Sequence, residues 1–206
     1  MQPQTGKFSL IGTFHEKLVF GRRVRVLARH LSALIPARAR VLDVGCGDGM
    51  IDRVIMEQRP DVSIEGIDPL VRPHTHIPVR SFDGERISHS DSSFNVVMFV
   101  DVLHHTVNPL VLLKEAVRVG STILIKDHFR NGLLAGTTLR LMDWVGNAHH
   151  RVALPYNYLS KAEWGAAFDH LGLRAKDVNS SLGLYPPPLS WIFERELHFV
   201  AIFEKG

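Results

Sequence analysis

The chain has 206 residues, 45% hydrophobic and 22% charged, with a net charge of +3. That length suits one α/β domain with a substantial core, and the composition excludes a disordered or collagen-like chain. A single cysteine, Cys46, excludes an intrachain disulfide and points to a reducing compartment. No apolar run reaches the length of a secretory leader or a membrane span, so the expected location is cytoplasmic.

Taken in order, the chain begins with a basic arm, residues 1–36. Residues 1–40 carry eight Lys or Arg against one acid, Glu16. Val24, Leu27, Ala28, Leu31, Leu34 and Ile35 recur at helical spacing and predict a helix over about 22–35 that packs on a sheet. Arg22, Arg25 and Arg29 fall on another face. A solvated basic face explains them; the sharper reading is peripheral contact with an anionic surface, whether lipid, phosphorylated substrate or RNA.

Strands are expected at 40–44, 63–67, 77–81, 94–100, 121–126, 173–179 and 197–204, with further helices at about 49–58, 108–118 and 160–171. Strands alternating with helices predict a parallel sheet covered on both faces. The last two strands are joined by a proline-rich stretch with no clear helix, which predicts an antiparallel final strand. One domain, 1–206, is expected. Residues 128–158 form a long connection, with a short helix over Leu133 to Trp144, and read as a substrate lid or a packed helical hairpin.

The most informative stretch is VLDVGCGDG, residues 41–49. An apolar strand ends in a glycine-rich turn that enters a helix, which makes a bed for a nucleotide-like ligand. A dinucleotide fingerprint needs its third glycine at position 50, where the chain has Met50, and a phosphate-cradling Gly-Lys-Ser/Thr triplet is missing. Asp43 beside the loop suits a cationic ligand without phosphate. IEGIDPL, residues 64–70, places Asp68 at the end of the second strand, where two carboxylate oxygens match two ribose hydroxyls. SFDGERI carries Asp83 after the third strand, and the apolar strand Phe94–Val100 runs into Asp101, Val102, Leu103, His104 and His105.

These motifs resemble the class I S-adenosylmethionine-dependent methyltransferases, of the type 11-like branch, over roughly residues 22–206. Asn95 departs from the Phe-Asp usual near the start of the fourth strand, at the end far from the cofactor. The resemblance implies a Rossmann-like three-layer sandwich with a seven-stranded, mostly parallel sheet and an antiparallel last strand. It implies S-adenosyl-L-methionine as cofactor and S-adenosyl-L-homocysteine as product. It assigns the cofactor bed to Asp43, Gly45, Cys46 and Gly47 in the loop, and to Asp68 and Pro69 after the second strand. Asp83 and Gly84 would meet the adenine, and Val100 and Asp101 the methionine part.

Methyl transfer needs alignment and exclusion of water, and a hydroxyl or acidic carbon acceptor gains from a general base. The candidate bases are His105 after the fourth strand, His128 after the fifth and His150 in the lid. A metal is not expected despite twelve histidines. Adjacent histidines on one strand point to opposite sides, His74 and His76 precede the third strand, and no zinc-type spacing occurs. The favoured partner is a small-molecule acceptor, apolar or lipid-like. The basic arm alone supports RNA or protein as acceptor, no Asn-Pro-Pro-Tyr-like motif follows the fourth strand, and nucleic acid is the less favoured partner. A non-catalytic S-adenosylmethionine-binding protein is the third reading.

Overall fold

A computed structural model describes residues 7–147 and 155–206. The chain runs α1 (Lys7–Leu34), β1 (Arg40–Val44), α2 (Met50–Gln58), β2 (Ser63–Asp68), β3 (Val79–Ser81) and β4 (Phe94–Val100). It continues through a 3-10 turn (Leu103–His105), α3 (Pro109–Val119), β5 (Gly120–His128), α4 (Ala135–Asn147) and α5 (Lys161–His170). It finishes with β6 (Leu173–Asn179), α6 (Ser190–Phe193) and β7 (His198–Lys205).

All seven strands join one sheet in the order β3-β2-β1-β4-β5-β7-β6. β7 inserts antiparallel between β5 and β6, and every other pairing is parallel. The strand order reverses between β1 and β4, which opens a crevice at their carboxyl ends. The central strands are apolar on both faces because each face is covered. On one side Leu42, Val97, Phe99 and Ile123 pack under Leu113 of α3 and Trp164 of α5. On the other, Val41, Val96, Met98 and Leu124 pack under Leu27 and Leu31 of α1 and Ile55 of α2. Burying one such leucine contributes about 1.5–3 kcal/mol, so α1 is an integral layer of the sandwich.

Local chemistry sets the element ends. Asn108 caps α3 by accepting the N–H of Leu110, with Pro109 at the first helical position. Ser160 and Glu163 close a reciprocal capping box on α5. The expected strands are all present, with two informative differences. β3 starts at Val79 rather than 77, because Pro78 can accept from Gly66 N but has no N–H to return. β5 runs on to His128, because β7 continues to pair as far as His128 opposite His198. His128 therefore ends a strand and is buried, instead of starting the connection that follows. No helix among the described residues is long and apolar enough to cross a membrane.

Candidate active site

The glycine turn after β1 takes the form its residues require. Gly45, Gly47 and Gly49 have φ of 79°, 61° and 74°, a region that side-chain-bearing residues rarely adopt. Gly45 N donates to Ile67 O at 2.7 Å, tying the turn to the end of β2. A Cβ on Gly45 would lie 2.6 Å from Val102, whereas one on Gly47 would meet nothing within 4 Å. The backbone at Gly47 is thus bare toward a cavity of about 740 Å³ at the carboxyl ends of the strands.

Asp68 stands on the cavity wall as a fixed acceptor. Its Oδ2 accepts Gly47 N at 2.8 Å and its Oδ1 accepts Leu70 N at 2.7 Å. Each oxygen keeps a second lone pair. Pro69, Asp83 and Gly84 line the same cavity. Asp83 Oδ1 accepts the N–H groups of Glu85 and Arg86, and these bonds hold its carboxyl below the usual range. Asp101 closes the far side together with Val102 and His105.

Three residues expected at the cofactor lie behind the cavity wall. Val100 packs toward the core under α1 and α2. Cys46 fills the space over Gly66, where a Cβ would come within 2.3 Å of its Sγ. Asp43 is 2% exposed and lies beneath the loop against Asp52 of α2. Neither Asp43 Oδ1 nor Asp52 Oδ1 has a hydrogen-bond partner among the described residues. Burial and mutual repulsion push Asp43 well up, and burial pushes Asp52 up to about 7.

The opposite wall is built of paired charges that the sequence reading did not assemble. Asp101, itself at φ 58°, forms ion pairs with Arg23 of α1 and Lys126 of β5. Lys126 Nζ also donates to His198 Nδ1 at 3.3 Å, while His198 Nε2 donates to Phe193 O at 3.0 Å. One step along β5, the buried Asp127 accepts Leu103 N at 3.1 Å, His128 N at 2.8 Å and His104 Nδ1 at 2.7 Å. His105 Nε2 lies 3.5 Å from Asp143 Oδ1 of α4, and His104 Nε2 lies 3.8 Å from the same oxygen.

Comparison with known proteins settles the family. Residues 17–177 match the model of a methyltransferase domain. The chain belongs to the methyltransferase-domain family. No curated protein matches it in sequence, but solved methyltransferases share its fold. A methyltransferase solved in complex with the Haloferax volcanii Trm112 activator superposes with a TM-score of 0.66 at 16% identity, over 92% of this chain and 93% of that one. A Thermotoga maritima S-adenosylmethionine-dependent methyltransferase gives 0.61 at 17% identity, over 96% of each chain. The plantazolicin methyltransferase BpumL, solved with S-adenosylhomocysteine, gives 0.59 at 14% identity, over 98% of this chain and 91% of that one.

The methyltransferase therefore uses S-adenosylmethionine, and the bed suits it. The bare Gly47 backbone admits a ligand at van der Waals contact, and Asp68 offers its two remaining lone pairs alongside. Of the three candidate bases, His105 lines the cavity. Burial, then the neighbouring His104 charge, lowers its pKa, so its imidazole is neutral at neutral pH and carries a free electron pair. His128 is buried behind this wall with Nδ1 on Asp127, and burial and Lys126 lower its pKa strongly. His150 lies outside the described residues. No described residue of 128–158 lines the cavity; instead Asp143 of α4 backs the two histidines.

The paired acids behave unlike Asp43. Burial alone would raise Asp101, but Lys126 and Arg23 hold it well below the usual range. His104 does the same for Asp127. In return Asp127 outweighs the burial of His104 and lifts it to about 9. Burial lowers Lys126 to about 8 despite Asp101.

Proposed function

We propose that the methyltransferase acts on a small-molecule acceptor, apolar in body and carrying a hydroxyl or thiol, seated between the glycine loop and His105. The cavity supports this reading. Its 740 Å³ lies within the roughly 300–1,000 Å³ typical of small-ligand sites. Its acceptor side combines apolar Val102, Val111 and Leu112 with the polar His105, Thr106 and Asn108. S-adenosylmethionine supplies an electrophilic methyl group on a sulfonium. Asp68 and Gly47 bind its nucleoside end, Asp83 and Gly84 stand where the adenine would lie, and Asp101 with Val102 limits the cavity toward the acceptor. His105 contributes the electron pair that a hydroxyl or thiol needs in order to lose its proton.

Transfer of labelled methyl into a cell extract, separated into organic, aqueous, protein and RNA fractions, tests the substrate class. Label is expected in the organic or aqueous small-molecule fraction; label in RNA or protein overturns the reading. Gly47→Arg drives a long side chain into the cavity and is expected to abolish S-adenosylmethionine binding in calorimetry. His105→Ala is expected to lower turnover about 10²- to 10⁴-fold with cofactor affinity unchanged.

A further inference from the structure

His104 and His105 do not alternate across a strand. They sit in the 3-10 turn after β4, which brings their rings together at a tilt of 42° with centroids 4.1 Å apart. The reason for excluding a metal, that neighbouring histidines point to opposite sides, does not apply to this geometry. α4 brings Asp143 up to both rings. We propose that His104, His105 and Asp143 bind a divalent transition-metal cation at the acceptor end of the cavity.

The donor set is two imidazoles and one carboxylate, which suits a zinc- or iron-type ion and leaves coordination positions open. One donor atom from each residue lies within 4.8 Å of the others. Donors about 2.0–2.2 Å from a cation sit about 3.3–3.5 Å apart at tetrahedral angles. The 3.5 Å from His105 Nε2 to Asp143 Oδ1 already meets this, and the 3.8 Å from His104 Nε2 needs a few tenths of an ångström.

The surroundings resemble those of a metal-binding histidine. Asp127 accepts the Nδ1 N–H of His104 at 2.7 Å, which directs the other ring nitrogen toward Asp143, and the ion would displace the proton that this nitrogen carries. Asp127 is itself immobilised by two backbone N–H groups, from Leu103 and His128. Tyr158 stacks on the His104 ring at 5.1 Å and restricts its rotation. His105 lines the cavity, and with its electron pair committed to the ion, the ion rather than His105 would draw the proton from a hydroxyl or thiol acceptor. This rests on the proposed acceptor chemistry and gives the ion the place of His105 as the group that activates the acceptor, while the binding of the ion is read without turnover.

The full chain, stripped with a chelator and dialysed, is titrated with Zn²⁺ by calorimetry and with Co²⁺ by visible absorption. One equivalent of either ion is expected, with Co²⁺ giving the d–d bands of an ion held by nitrogen ligands. His105→Ala and Asp143→Asn should each weaken binding at least tenfold, while His74→Ala, at an exposed histidine outside the cluster, leaves it unchanged. Asp127→Asn removes no ligand and should weaken binding roughly 10- to 100-fold. Circular dichroism confirms that each variant folds. The proposal is overturned if no saturable binding occurs, or if both ligand variants bind Zn²⁺ like the wild type. Gly47→Arg separates the two readings, since it should lose S-adenosylmethionine and keep Zn²⁺.

Discussion

Two pairs of acids stand at the carboxyl ends of the same sheet, and their partners set them apart. Asp43 and Asp52 lie under the glycine loop with no cation beside them, and both are pushed upward. Asp127, fully buried, and Asp101, half-buried at the cavity, lie across from them and are held well down by Lys126, Arg23 and His104. Desolvation pushes all four upward, and the partners decide the outcome. Beneath the glycine loop the buried acids repel each other, whereas across the cavity they are held in a fixed array of opposite charges.

The largest effect that would sharpen this contrast comes from Lys126. Lys126→Met leaves Asp101 with Arg23 alone and strands His198 Nδ1, and it should destabilise the fold by about 3 kcal/mol. Urea denaturation reads this, and a loss below about 1 kcal/mol would mean that Arg23 suffices.

Next is the pH dependence of the uncompensated pair. The folded pKa of Asp52, about 7, lies above its unfolded value. The folded state therefore holds an extra proton, and the stability this confers is full below about pH 4 and lost as pH rises through 7. Asp52→Asn removes the linkage. Relative to the wild type, it should gain on the order of 2 kcal/mol between pH 5 and pH 7.5. A parallel pH profile for the two proteins would show that the pair is not protonated.

The smallest effect separates two arginines of α1. Arg25 is exposed, so Arg25→Ala should change stability by no more than about 0.5 kcal/mol, while Arg23→Ala exposes the Asp101 site to a clear loss. If the exposed arginines meet an anionic surface, co-sedimentation of Arg25→Ala with anionic vesicles is the readout that moves.

Much of this was legible in the sequence. The strand at 94–100 could be read from an unbroken apolar run, and the cofactor bed from glycines at alternate positions before a helix. The helical stripe from Val24 to Ile35 correctly named the buried face of α1. It hid Arg23, because one arginine beside three solvated ones carries no sign that it turns inward. His128 looked like the start of the long connection, since nothing local shows that β7 pairs as far as residue 128. The motif gave the position of Asp43 on the chain but not that its side chain lies buried beneath the loop. The histidine wall joins residues 104, 127 and 143, and only the fold brings these together.

Cys46 carries a last consequence. The chain's single sulfhydryl stands in the glycine turn beside the cavity, yet burial raises its pKa far above the ordinary thiol range, and the nearby Asp43, Asp52 and Asp68 add to this. Peroxide and alkylating agents attack the thiolate, so this sulfur is a poor target for either. It serves as a spacer between loop and strand, and the enzyme should keep working through oxidative episodes that silence proteins with a reactive cysteine at the same place.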